Sequence, residues 1–160
     1  MITQPAGTYD NPYYHDNVYG HALELLRRHR SNAQQNGIHL DIGCGYARIS
    51  KPLIETFAVE YVGIDHDDAA IFSARERGLE IHKVWLNGED ATYEKLQQIV
   101  GDRRVAAITM LDTLEHLTDG DAVLQAIRRL AIEHTAFVVI SVPNVTHADI
   151  GLKLAFGGWN

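Results

Sequence analysis

The chain has 160 residues, 46% hydrophobic and 22% charged, close to the averages of globular domains, which excludes a disordered or fibrous chain and sets one domain spanning 1–160 as the expectation. A formal net charge of -7, with basic residues scattered apart from Arg27 to Arg30 and Arg103–Arg104, argues against a surface that tracks nucleic-acid phosphates. Cys44 is the only cysteine, so neither an internal disulfide nor a paired-cysteine zinc site is expected; with no signal-peptide core and no apolar run of about 18 residues, the expected setting is soluble, reducing and cytoplasmic, without a membrane partner.

Along the chain, Val18, Ala22, Leu25 and Leu26 share one face of a helix that Asp16 or Asn17 caps and that runs to about Arg30. IHLDI follows Gly37 as a short strand, and helical spacing returns at Ile49, Leu53 and Phe57, with Pro52 tolerated near the first turn. YVGID (61–65) reads as a strand and DDAAIFSARERG as a helix with an acidic cap, stopped by Gly78. LEIHKV is a further strand, EDATYEKLQQIVG a helix ending at Gly101, and RVAAITML (104–111) a long apolar strand. TDGDAVLQAIRRLAIEH is a helix buried along Val123, Ile127 and Leu130, with Thr118 and Asp121 at capping-pair spacing; TAFVVISV (135–142) is the fifth strand. Five short apolar strands alternating with four helices predict an α/β fold, a parallel sheet with helices on both faces.

In such sheets ligands bind beyond the carboxyl ends of the strands, where the winding reverses. The turn after the first strand, DIGCGYA (41–47), lies there, and Gly43 and Gly45 allow a tight turn and close approach of a ligand to the backbone. Asp65 ends the second strand twenty residues beyond Gly45, placed to accept both hydroxyl hydrogens of a ribose. A dinucleotide and an adenosyl sulfonium both fit so far. The dinucleotide pattern asks for a third glycine at position 48, where this chain has Arg48, and Asp41 at the head of the turn suits a cationic ligand better than a pyrophosphate. Read singly, the glycines are an ordinary strand-to-helix turn, Asp65 a helix cap, and Glu89 and Asp90 first-turn acids facing a helix dipole.

Together, Asp41-Ile-Gly-Cys-Gly-Tyr-Ala47, Asp65, Glu89-Asp90-Ala91 and Leu111-Asp112-Thr113-Leu114-Glu115-His116-Leu117 resemble the motifs of class I S-adenosylmethionine-dependent methyltransferases, of the small-molecule type similar to quinone-biosynthesis enzymes. The resemblance covers about positions 13 to 160, with Ala47 where a third glycine is usual. It implies a Rossmann-like fold and S-adenosylmethionine as cofactor, with S-adenosylhomocysteine as product. By the same resemblance, Asp41 with the Gly43–Cys44–Gly45 backbone holds the methionine end and Asp65 the ribose; His66 lies beside the adenine, Asp90 and the Ala91 amide reach its edge, and Leu111 and Asp112 wall the methionine moiety. Tyr13 and Tyr14 precede the first helix, where similar enzymes place a lid over the cofactor; core or surface packing is the equal alternative.

Methyl transfer to a hydroxyl or ammonium needs a base, and His116 and His147, just past strand ends, are the candidates; a hydrogen-bonded structural role is the alternative for each. The nine histidines match no metal-ligand spacing, so no metal is expected. The tail SVPNVTHADIGLKLAFGGWN is similar to methyltransferase domains associated with bacterial surface sugars, in a family whose strand order is 3-2-1-4-5-7-6; lacking the last two strands, the domain is expected to be truncated, with a small-molecule or sugar acceptor. The exposed fifth strand would then be covered by a second copy in a homodimer, or by the LKLAF segment. A nicotinamide-dependent oxidoreductase and a non-catalytic cofactor-binding or assembly fragment are the competing readings.

Overall fold

Five strands, β1 (Ile38–Ile42), β2 (Glu60–Asp65), β3 (Glu80–Lys83), β4 (Val105–Leu111) and β5 (Phe137–Ser141), form one sheet in the order β3-β2-β1-β4-β5. The computed structural model describes residues 11–29 and 37–143. All four pairings are parallel. Every residue of β1 and of β4 is buried, as a central parallel strand covered on both faces requires.

The helices are α1 (Val18–His29), α2 (Ser50–Phe57), α3 (Asp68–Glu76), α4 (Glu89–Val100) and α5 (Gly120–His134). Leu26, Leu53, Ile71 and Ala74, from α1, α2 and α3, pack with Tyr61, Ala107 and Leu111 in one hydrophobic layer. Leu96, Val100, Val123, Ile127 and Leu130, from α4 and α5, pack with Leu40, Ile64, Ile108 and Met110 in the other. Successive strands add outward to β3 and then, on the far side of β1, through β4 to β5. The winding therefore reverses beside β1, and the crevice at the carboxyl ends of β1 and β4 is where such sheets take ligands.

The order is the one the family resemblance implies for its first five strands, and each expected helix and strand is present among the described residues. Asn17 is the cap of α1: its Oδ1 accepts from the Tyr19 amide at 3.1 Å and the Gly20 amide at 3.3 Å. Asp67 caps α3 by accepting from the Ala70 amide at 2.8 Å. The expected Thr118–Asp121 capping pair is a correction. Helix α5 begins at Gly120 after Asp119, whose backbone (φ -125, ψ 57) is non-helical and whose side chain makes no cap hydrogen bond; a 3₁₀ turn at Leu114–His116 precedes it, and Leu114 Cδ1 would lie 3.1 Å from a Cβ added at Gly120.

Among the described residues β5 pairs on one side only, and Ile140 and Val142 are exposed there. A groove of about 510 Å³ runs between α5 and β5, lined by Ile127, Ala131, Ile132, Val138 and Ile140. The LKLAF segment and His147 lie outside the described residues. No helix among the described residues is long and apolar enough to cross a membrane.

Candidate functional site

The turn leaving β1 is strapped to the end of β2. The Gly43 and Cys44 amides both donate to the Ile64 carbonyl, at 2.8 and 3.0 Å. Gly43 has φ +71, and a Cβ there would fall onto the Thr113 side chain; Gly45 has φ +50, and a Cβ there would meet nothing within 4 Å. One glycine is thus demanded by the fold, whereas the other leaves open space above the turn. The third position of the pattern, Ala47, is also left-handed, at φ 51, and is completely buried. It carries the strain of a residue with a Cβ in that conformation.

The Gly45 amide donates to Asp65 Oδ2 at 2.7 Å, while the His66 and Asp67 amides donate to Oδ1 at 2.7 and 2.9 Å. Three backbone groups from two loops fix this carboxylate at the mouth of the open turn, with its side chain 10% exposed. Its remaining lone pairs are acceptors for further donors.

Asp41, expected at the methionine end of the ligand, lies inside the protein beneath the turn. It is 3% exposed, and both oxygens are engaged inside the protein: the Tyr61 hydroxyl donates to Oδ2 at 2.5 Å and the Thr109 hydroxyl to Oδ1 at 2.6 Å. Because the Thr109 hydrogen is committed to Asp41, Thr109 Oγ1 accepts from His39 Nε2 at 2.9 Å, which places the proton on that nitrogen. His39 and Tyr61 are registered neighbours with stacked rings, as Asp41 and Thr109 are registered neighbours across β1 and β4. Burial raises the Asp41 carboxyl to about 6, against the two hydrogen bonds, which lower it, and with the negative Asp65 adding to the rise. Asp41 is therefore a buried negative charge beneath the turn rather than a side chain facing the crevice.

Cys44 is also buried, and burial, followed by the charges of Asp41 and Asp65, pushes its thiol well above the ordinary range. Both effects disfavour the thiolate form. At the end of β4, Leu111 is buried and Asp112 is exposed in the left-handed region at φ 47. The Asp112 amide donates to Ser141 Oγ at 3.0 Å, and that hydroxyl donates to Asp112 Oδ1 at 2.7 Å. His116, on the 3₁₀ turn, is 56% exposed, with Nε2 3.8 Å from Glu115 Oε1.

Asp41, Gly43, Cys44, Gly45, Asp65, His66, Leu111 and Asp112 thus gather at the carboxyl ends of β1, β2 and β4. Asp90 and Ala91 do not join them through their side chains. Both are exposed in the first turn of α4, and Asp90 Oδ1 accepts from Arg129 Nη1 of α5 at 2.7 Å. Arg129 also bonds Glu89 at 3.1 Å and lies 4.0 Å over the Tyr93 ring, so the acidic pair is turned toward the neighbouring helix. Sequence reasoning missed the partners of Asp41. The signal was present: His39 and Asp41 alternate with Ile38, Leu40 and Ile42 in a strand that must be buried on both faces, so each polar side chain needs a partner inside. Among the described residues no cluster of three or more His, Cys, Asp or Glu has a metal-binding arrangement.

A doubly wound sheet with an open glycine turn at its switch point places the chain in the ligand-binding class of open α/β domains. Within that class, residues 14–159 match the family model described as a methyltransferase domain, and the chain belongs to that family. Solved structures agree on the fold. The plantazolicin methyltransferase BpumL, determined with a pentazolic desmethylPZN analog and S-adenosylhomocysteine, is 14% identical over 86% of this chain and 52% of its own, with a TM-score of 0.58. Streptomyces venezuelae DesVI is 15% identical over 81% and 51%, with a TM-score of 0.57. A SAM-dependent methyltransferase from Archaeoglobus fulgidus is 22% identical over 81% and 55%, with a TM-score of 0.54. The chain spans about half the length of these solved proteins. No curated protein matches its sequence.

Proposed function

We propose that this chain carries the cofactor site of an S-adenosylmethionine-dependent methyltransferase that methylates a hydroxyl or amine of a small molecule or sugar. The observation that carries the reading is the Gly45–Asp65 pair: an amide-tethered carboxylate beside a turn with open space above it, at the switch point of the sheet. The residues fit the group. Asp65 offers acceptors to a ribose diol, and the Gly43–Gly45 backbone lets the methionine end approach closely. Leu111 and Asp112 line the same end of the sheet. The cofactor supplies a methyl carbon already activated by a positive sulfur.

The protein's part is chiefly orientation, holding an acceptor at about 3 Å on the axis of the breaking bond. Asp41 adds a negative charge below the turn, weakly screened because it is buried, which favours a cationic ligand above. His116, solvent-accessible beyond β4, takes the acceptor's proton in this reading, and His147 is the second candidate. The reading extends to a cytoplasmic setting and to a homodimer that covers the free edge of β5 with its exposed Ile140 and Val142.

Titration calorimetry with S-adenosylhomocysteine and with NAD tests the reading: the first binds and the second does not. Asp65→Ala weakens S-adenosylhomocysteine by about 1.5–3 kcal/mol, the usual loss for hydrogen bonds to a charged acceptor. Binding of NAD alone, or unchanged affinity in the Asp65 variant, would overturn the assignment.

A further inference from the structure

Beneath the glycine turn lies a set of buried polar side chains of which only Asp41 belongs to the turn itself. Ile38, Leu40 and Ile42 face α4 and α5, so His39 and Asp41, alternating with them, face the α1–α3 layer that also holds Tyr61. The bonds run in one direction. His39 Nε2 donates to Thr109 Oγ1 at 2.9 Å, the Thr109 hydroxyl donates to Asp41 Oδ1 at 2.6 Å, and the Tyr61 hydroxyl donates to Oδ2 at 2.5 Å. Donors aligned in this sense polarise one another and strengthen the last bond. Burial, then the charge of Asp41, push the Tyr61 phenol well above its ordinary range, so it stays a donor. Asp65 and the Cys44 thiol are the other titratable groups acting with Asp41, and Arg77 acts on Tyr61. The helices packed above add Leu26, Leu53 and Ile71, with Tyr13 and Tyr19 partly buried. The side-chain partners of Asp41 are thus two neutral hydroxyls and not a cation.

We infer that Tyr61, Thr109 and His39 are positioning residues for the cofactor: they hold Asp41 ionised beneath the turn, and so set how strongly, and over what pH range, the turn holds the positively charged end of its ligand. This rests on the cofactor reading above. A carboxylate neutralised by a neighbouring cation would leave little field at the turn, whereas one held by hydroxyls keeps its whole charge. Apolar side chains would fill these positions at less cost to stability, so the charge itself is what the set supplies. Because a cation favours the ionised carboxyl, affinity is full above the Asp41 value of about 6 and is lost as pH falls through it. Losing one donor shifts the balance toward the neutral form by about tenfold or more, which moves that fall upward by about one pH unit or more.

The test is titration calorimetry with S-adenosylhomocysteine at intervals from pH 5 to pH 8, with thermal melts restricting each titration to folded protein. Wild-type affinity should drop about tenfold between pH 7.5 and pH 5, which is the change in ionised fraction of a group titrating at about 6. Tyr61→Phe and Thr109→Val should show the same drop centred about one pH unit higher, and approach wild-type affinity at pH 8. Thr109→Ser, which keeps the hydroxyl, should keep the wild-type profile. His39→Leu acts through Thr109 and should shift the profile upward by less. Asp41→Asn should bind weakly at pH 7.5 and show no such drop. Residues that merely pack would weaken binding equally at every pH. A flat wild-type profile, an unmoved midpoint in both Tyr61→Phe and Thr109→Val, or a drop that survives in Asp41→Asn would overturn the inference while leaving the cofactor reading standing. Failure of the wild type to bind S-adenosylhomocysteine at any pH would overturn both.

Discussion

Replacing Asp41 by Asn should make the protein more stable at neutral pH and a poorer binder of cationic ligand. The carboxyl is buried, with a proton affinity raised from 3.8 to about 6. Each tenfold in proton affinity corresponds to about 1.4 kcal/mol, so keeping this group ionised in the fold at pH 7 costs about 3 kcal/mol relative to its neutral form. The sign follows from the raised folded value. The stability associated with the neutral carboxyl is fully present below about 3.8 and is lost as pH rises through about 6. Asn is nearly isosteric and can accept one of the bonds from Tyr61 or Thr109, but it brings an amide whose hydrogens need acceptors, offsetting part of the gain. Denaturant unfolding of both proteins at intervals from pH 4 to pH 8 isolates the effect, because the difference between them removes other titrations. That difference should be small at pH 4 and grow to about 1–3 kcal/mol in favour of the variant by pH 7. A pH-independent difference, or a variant that is less stable at pH 7, would refute the placement of an ionised Asp41 beneath the turn.

The two glycines of the turn should respond differently to alanine. Gly43→Ala forces a Cβ onto Thr113 in a left-handed conformation and should lower stability by about 2 kcal/mol or more in a thermal or denaturant melt, with partial recovery when Thr113→Ala is added. Gly45→Ala meets no atom within 4 Å and should cost only the conformational strain, about 1–2 kcal/mol, while weakening S-adenosylhomocysteine in calorimetry because its methyl enters the open space above the turn. His116→Ala, assayed in a protein active on its acceptor, should lower turnover by about 10²–10⁴-fold with little change in cofactor affinity; full turnover across pH 6 to 9 would remove it as the base.

The architecture was legible because each strand here is a short apolar run bounded by a turn signal. RVAAITML became a strand buried throughout Val105–Leu111, and Gly78 and Gly101 marked two helix ends through their positive φ. The turn was legible for the same reason: a glycine pair and an acid twenty residues on are local facts whose meaning depends only on strand positions. What was not legible depended on how elements face one another. The bond from Arg129 to Asp90 emerges only when α4 and α5 are placed side by side. Thr118 and Asp121 have the right spacing for a cap, but the helix starts at Gly120 after Asp119, with no side-chain cap bond. The edge-to-face contact of Trp85 with His66 carried no motif at all, since it follows from the β2–β3 register.

The central position of β1 has a kinetic consequence. Its partners are β2, which follows it directly, and β4, reached only after two further helices and a strand; the Thr109–Asp41 bond joins positions 68 apart in the chain. Local pairs such as β2 with β3 can close early, whereas the β1–β4 seam must await a long loop closure. The buried carboxylate beneath the glycine turn acquires its full set of partners only when that seam forms. A ligand seated on the turn would accordingly act late on the folding route, lengthening the lifetime of the native state more than it speeds its formation.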